Sequence, residues 1–223
     1  MSITRFLTSA LRLIYHLLYH HFAWSYDWVA AAVSAGQWNN WVFSILPDLR
    51  GPNVLELGHG PGHLQIALHD AGVKAAGLDR SPQMGRMARR NLARHGLPAN
   101  LVNADAQSLP FPDSHFHQVA ATFPSDYIID PKVLAEVYRV LIPGGQLLVV
   151  PVAWTAQFGL MRFAADAIFR ALGQSRGLED AYQGYIARMA SPGFSVSLEE
   201  RTVGSNTVVV IQAKKPASNS ALW

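Results

Sequence analysis

Val54-Leu55-Glu56-Leu57-Gly58-His59-Gly60-Pro61-Gly62-His63 is the stretch on which the fold turns. A short apolar run ends in an acid, and glycines follow at every second position. The helical apolar pattern Leu64-Gln65-Ile66-Ala67-Leu68 then begins at once. Strand, glycine loop and helix is how an α/β sheet offers bare backbone N–H groups to a ligand at a helix N-terminus. Glycine is required because the turn is tight and the ligand approaches the main chain itself. The dinucleotide fingerprint is G-x-G-x-x-G. Gly58 and Gly60 fit it, but its third glycine position holds His63, and Gly62 falls one residue early. The pattern is E-x-G-x-G-x-G.

Working outward, strand and helix signals alternate. Val54–Leu57, Ala75–Leu78, Ala99–Asn103, Gln118–Phe123 and Gln146–Val152 read as strands. Residues 63–69, 82–95 and 131–141 read as the helices between them, and Pro143-Gly144-Gly145 reads as a turn. This alternation predicts a parallel sheet with helices on both faces. The end of the chain breaks the pattern. After helices over 158–172 and 180–189, Phe194–Val203 and Thr207–Lys214 read as strands joined by Gly204-Ser205-Asn206, an antiparallel hairpin. Upstream, residues 3–20 read as an amphipathic helix, followed by helical stretches over 25–34 and 38–46; Pro47 and Gly51-Pro52 separate them from the glycine-loop strand. The expected organisation is a helical cap or lid over 1–48, a nucleotide-binding domain over 49–215 and a flexible tail over 216–223.

Composition bounds the function. The chain has 223 residues, enough for one domain with a full core and an appendage. Half of it is hydrophobic and only 15% is charged, against an ordinary quarter, which points to an apolar pocket or surface. Without cysteine there is no disulfide, thiolate metal site or cysteine nucleophile. A net charge of +3 with no Lys/Arg-rich run and no nucleic-acid motif gives no reason to expect a nucleic-acid partner. Arg5, Arg12 and several histidines interrupt the apolar N-terminus, so neither a spanning helix nor a secretory signal is expected there, and the default location is the cytoplasm.

Four stretches, in order and at consistent spacing, resemble the class I S-adenosylmethionine-dependent methyltransferases, in the branch that includes the ubiquinone/menaquinone C-methyltransferases. They are Glu56 to Gly62, Ala76 to Met84, Asn103 to Phe111 and Glu136 to Gly145. The resemblance covers roughly residues 50–215. It implies a Rossmann-like seven-stranded sheet, mainly parallel, with the terminal hairpin as its antiparallel part. It also implies S-adenosylmethionine as cofactor.

The resemblance implies roles at numbered positions. Gly58, His59, Gly60 and Gly62 take the methionine end of the cofactor, and Glu56 its ammonium. Asp79 accepts the ribose hydroxyls, with Arg80 beside it. Asp105 and Ala106 meet the adenine, and Met84 lies against its face. Thr122 and Phe123 end the fourth strand beside the transferring methyl. Tyr26 is read either as a lid over the cofactor or as a core tyrosine on a helix face. His59 and Tyr26 are the candidates for a catalytic role, and His59 is also read as a packing or hydrogen-bonding residue that moves no proton. His115 and His117 form no metal site; His117 is read as a surface residue at a strand entry.

The expected acceptor is a small hydrophobic or lipid-like molecule, because two apolar segments, 3–20 and 154–172, flank the predicted acceptor side. Residues 1–22 are read as a lid or as a peripheral membrane contact on the inner face. The rivals are a nucleotide-dependent oxidoreductase and a non-catalytic cofactor-binding module at a membrane. Acceptor atom and oligomeric state are open.

Overall fold

A computed structural model describes residues 36–155 and 178–217. The chain divides into two compact units, Met1–Asn39 and Asn40–Trp223, and the described residues belong almost wholly to the second. The readings over 3–34 and 158–172, Tyr26 among them, lie outside the described residues.

A short helix α1 (Trp38–Val42) runs into a 3₁₀ turn (Phe43–Asp48). Then follow β1 (Val54–Leu57), α2 (His63–Asp70), β2 (Ala75–Asp79), α3 (Pro82–Arg94), β3 (Leu101–Asn103), β4 (Phe116–Thr122), a 3₁₀ turn (Asp126–Ile129), α4 (Pro131–Val140), β5 (Leu141–Thr155), α5 (Leu178–Ala190), β6 (Ser195–Val203) and β7 (Asn206–Lys214). The sheet has seven strands in the order β3-β2-β1-β4-β5-β7-β6. The first five are parallel. β7 returns antiparallel between β5 and β6, as the hairpin signal predicts.

Local chemistry sets the helix starts. Ser81 caps α3, its Oγ accepting from the Met84 N–H, and Pro82 takes the first helical position, where no N–H is needed. Asp130 and Pro131 do the same for α4, with Asp130 Oδ1 accepting from Lys132 N at 2.8 Å. β1 and β2 are buried at every residue, as central parallel strands must be. The core joins Leu55, Leu57, Val119, Leu134, Val137, Leu147, Val149 and Ile211 across the sheet.

Two readings need correction. Pro143-Gly144-Gly145 is not a separate turn: it lies within β5, whose pairing with β4 shifts register near its start. Gly144 there has φ +79°, so the bend is absorbed as an irregularity of the strand. Gly144 N also donates to Pro216 O at 3.2 Å, so ordered contact reaches into the segment read as tail. His117 does stand at a strand entry, as the second residue of β4, but it is half-buried and not a surface residue. Its Cβ packs so closely on Gly51 that a Cβ at 51 would stand 2.7 Å away.

Candidate active site

Strand order reverses between β1 and β4, and in open α/β sheets the crevice at the carboxyl ends of such a pair is where ligands bind. The glycine loop opens directly onto it from β1. The loop is pinned to β2: Gly58 N donates to Leu78 O at 2.7 Å, and Gly60 N donates to Asp79 Oδ2 at 2.9 Å. Gly60 and Gly62 have φ of +52° and +89°, a region that a side chain strains. Their surroundings differ. A Cβ at Gly62 would meet Ala88 Cβ of α3 at 3.0 Å, whereas at Gly60 it would project into open space. Gly62 therefore serves helix packing, and Gly60 leaves the main chain open to a ligand. A Cβ at Gly58 would stand 2.9 Å from the Tyr127 hydroxyl, which lies against the loop from the 3₁₀ turn after β4.

Two buried carboxylates stand beneath this loop. Glu56 is the penultimate residue of β1, at 2% exposure, and its Oε2 accepts from Gln65 Nε2 of α2 at 2.7 Å. Burial pushes the Glu56 carboxyl up to about 8; the Gln65 bond opposes the rise and the nearby Asp79 charge adds to it. Asp79 ends β2 at 4% exposure. Its two oxygens each take a backbone donor, Gly60 N and Ser81 N, the latter at 2.8 Å. A carboxylate has about four acceptor sites, so lone pairs remain on both oxygens.

His59 is buried at 4% exposure, and its Nδ1 lies 2.8 Å from Gly60 O. A carbonyl oxygen only accepts, so Nδ1 carries the proton and donates. Burial lowers the pKa of the imidazole, against the pull of Asp79, and leaves it neutral. The ring lies over β2: a Cβ at Gly77 would meet His59 Cδ2 at 3.1 Å and Gln65 Cδ at 3.2 Å. Gly77 is therefore what makes room for both side chains.

The loop after β3 carries Asp105 and Ala106. Asp105 is half-exposed, accepts from Gln107 N through Oδ1 at 2.9 Å, and faces Arg80 Nη1 at 3.9 Å. Arg139 of α4 fastens this loop from below, donating to Leu109 O at 3.0 Å, Phe111 O at 2.8 Å and the Glu136 and Asp113 carboxylates. Glu136 also accepts from Leu109 N at 2.7 Å, and the Arg139 bond holds its carboxyl below the usual range. Met84, expected on an adenine face, lies in the first turn of α3 on its buried face, at 0% exposure. Thr122 ends β4, and Phe123 follows with φ +49°, a conformation a bulky residue takes only when its surroundings impose it. Its N–H donates to Val150 O at 2.7 Å, and the Trp41 ring lies 6.2 Å away.

The structure thus brings together at one strand edge Glu56, the glycine loop, His59, Asp79, Arg80, Asp105 and Thr122. Gln65 and Tyr127 were not singled out from sequence, and Glu136 and Arg139 were read only as part of the fourth stretch, with no role of their own. Gln65 left a trace as a polar residue on the apolar face of a helix. Among the described residues, no group of acids and histidines is arranged to hold a metal.

A mixed sheet with this strand order, a glycine loop at its switch point and acids near the carboxyl ends of β1 and β2 define a class I S-adenosylmethionine-dependent methyltransferase. Residues 54–145 match the Methyltransferase domain family. A demethylmenaquinone methyltransferase from Thermus thermophilus is 32% identical over 80% of this chain and 92% of its own length. The ubiquinone/menaquinone biosynthesis C-methyltransferase UbiE of Psychromonas ingrahamii is 33% identical over 60% of this chain, which spans 57% of that protein. Among solved structures, a candidate S-adenosyl-L-methionine-dependent methyltransferase from Methanococcus maripaludis shares the fold, with a TM-score of 0.61 and 18% identity over 90% of this chain and 94% of its own. The chain belongs to the UbiE-like family of S-adenosylmethionine-dependent methyltransferases, and S-adenosylmethionine is its cofactor. The residues fit that group. The cofactor's ammonium suits a buried acid, and the space left by the missing Cβ at Gly60 suits close approach of its methionine end to the main chain.

Proposed function

We propose that the chain methylates a ring carbon of a hydrophobic, quinone-like acceptor. The observation that carries this reading is the likeness to a demethylmenaquinone methyltransferase across 92% of that protein's length. The low charge content of the chain, 15%, agrees with it.

When bound, S-adenosylmethionine supplies a methyl group activated on a sulfonium. Glu56 would hold the cofactor's ammonium, with Gln65 keeping the carboxyl aimed. The loop from Gly58 to Gly62, its own N–H groups taken by Leu78 O, Asp79 Oδ2 and His59 O, would let the methionine end approach the main chain at Gly60, where no Cβ stands, and the free lone pairs of Asp79 would take the ribose hydroxyls. Asp105, Ala106 and Arg80 would border the adenine. His59 would act as a strut, since its Nδ1 proton is committed to Gly60 O and its ring is buried over β2. Thr122 and Phe123 would border the acceptor. A reduced quinone ring is already electron-rich, so the task of the site is alignment and exclusion of water rather than strong base catalysis.

The test is incubation with methyl-labelled S-adenosylmethionine and a short-chain demethylmenaquinol, beside a simple phenol and an amine. A carbon-methylated quinol by mass spectrometry is the expected product. Label confined to oxygen or nitrogen, or to polar acceptors, overturns the reading.

A further inference from the structure

Between Asp79 and Asp105 the chain carries Arg80, Arg86, Arg89, Arg90 and Arg94, and no acid. These are five of its 18 lysines and arginines. The spacing hides the cluster in sequence, and the helix gathers it. Arg86, Arg90 and Arg94 stand at i, i+4 and i+8 on α3, with Arg89 beside them, and all four are exposed. The opposite face, Met84, Gly85, Ala88 and Leu92, is buried against the sheet.

The row has little internal compensation. Among the described residues, Arg86 and Arg90 have no ion-pair or hydrogen-bond partner, and Arg94 bonds only the neutral Asn91 side chain, at 3.1 Å. Like charges at i, i+4 destabilise a helix, and only Arg94, in the last turn, is favoured by the helix dipole. A straight cationic row of about 12 Å, unfavourable to its own helix, is complementary to an anionic surface outside the molecule.

We propose that the arginine face of α3 docks the enzyme on an anionic phospholipid bilayer. The choice of a bilayer rests on the reading of the acceptor as hydrophobic, since such an acceptor is dissolved in lipid. A second observation points the same way: residues 80–104 contain no Phe, Trp or Tyr, whereas surfaces that bind single-stranded nucleic acid interleave cations with aromatic stacking platforms. The proposed docking element is thus α3 of the catalytic domain.

The test is flotation of the full chain with quinone-free vesicles of phosphatidylcholine, alone or with about one third phosphatidylglycerol, at about 0.1 M and about 1 M salt. Binding is expected only to the anionic vesicles and only at low salt. In the triple variant Arg86→Gln, Arg90→Gln, Arg94→Gln it falls about a hundredfold, at about fivefold per arginine near such a surface. The corresponding triple Lys variant keeps it. Turnover of the Gln variant on a water-soluble quinol, unchanged within about twofold, shows that its fold is intact. Equal binding to neutral vesicles, full binding by the Gln variant, or stronger binding to a single-stranded RNA than to vesicles overturns the proposal. Vesicle binding is measured without acceptor, so docking with no turnover on any quinol sinks the acceptor reading and leaves the docking surface standing.

Discussion

Gln65 Nε2 donates to Glu56 Oε2 at 2.7 Å, and both side chains are buried, at 2% exposure each. It is the bond that lowers the pKa of Glu56 against the effect of burial. The amide therefore does more than fill space: it favours the ionised carboxyl that a cationic ligand needs.

Replacing it should act on binding before chemistry. In Gln65→Leu the carboxyl loses its donor, its pKa rises further, and affinity for S-adenosylmethionine should fall about tenfold or more, as for a lost hydrogen bond to a charged group. The expected signature by calorimetry and initial rates is a raised KM at nearly constant kcat, strongest near neutral pH. An unchanged KM with a lowered kcat contradicts the assignment.

Glu56 should also leave a mark on stability. Its folded pKa of about 8 stands above the unfolded 4.5, so between these values the native state holds a proton that the unfolded chain has lost. Stability then falls with rising pH across that window, by at most about 1.4 kcal/mol per pH unit from this group. His59, with its pKa lowered, acts in the opposite direction below 6.5 and is neutral in both states above it. Thermal melts of the ligand-free protein between pH 6.5 and 8 should therefore slope downward, and Glu56→Gln should flatten that slope.

The glycines of the loop should separate into two classes. Gly62→Ala drives a methyl into Ala88 at 3.0 Å and strains φ +89°, so it should cost about 2–4 kcal/mol of stability. Gly60→Ala meets no protein atom within 4 Å, so it should cost about 1–2 kcal/mol through φ alone while abolishing binding of S-adenosylhomocysteine. Denaturant melts paired with titrations check both; equal loss of stability at the two positions would falsify the division.

Arg139 should govern order in the loop over 105–113. Arg139→Ala removes donors to Leu109 O and Phe111 O and leaves Glu136 without its cation. Hydrogen exchange should quicken across that loop and stability drop by about 2 kcal/mol. Arg139→Lys, with one point charge in place of a planar fork, should recover only part of it.

Much of this was legible in the sequence because it rests on spacing. E-x-G-x-G-x-G fixed the loop, the alternation of strand and helix signals fixed the parallel sheet, and Gly204-Ser205-Asn206 fixed the hairpin, with element ends within about two residues except at β5. Contacts that depend on where side chains point were not legible. His59 read from sequence either as a base or as a packing residue, and only the fold places its ring over β2; Gln65 looked like an ordinary helix residue. Arg139 reaches the loop from a helix begun some twenty residues later in the chain, which no local pattern encodes. The arginines of α3 form no run, and only helical pitch aligns them.

Gly77 has no part in any chemistry, yet it sets the size that position 59 is allowed. An imidazole at 59 and the amide of Gln65 share the hollow that a missing methyl leaves in β2. A Cβ at 77 would also stand 2.7 Å from Leu101 Cδ2, so positions 59, 77 and 101 should drift together through evolution: chains that keep histidine at 59 and leucine at 101 are not free to carry alanine at 77.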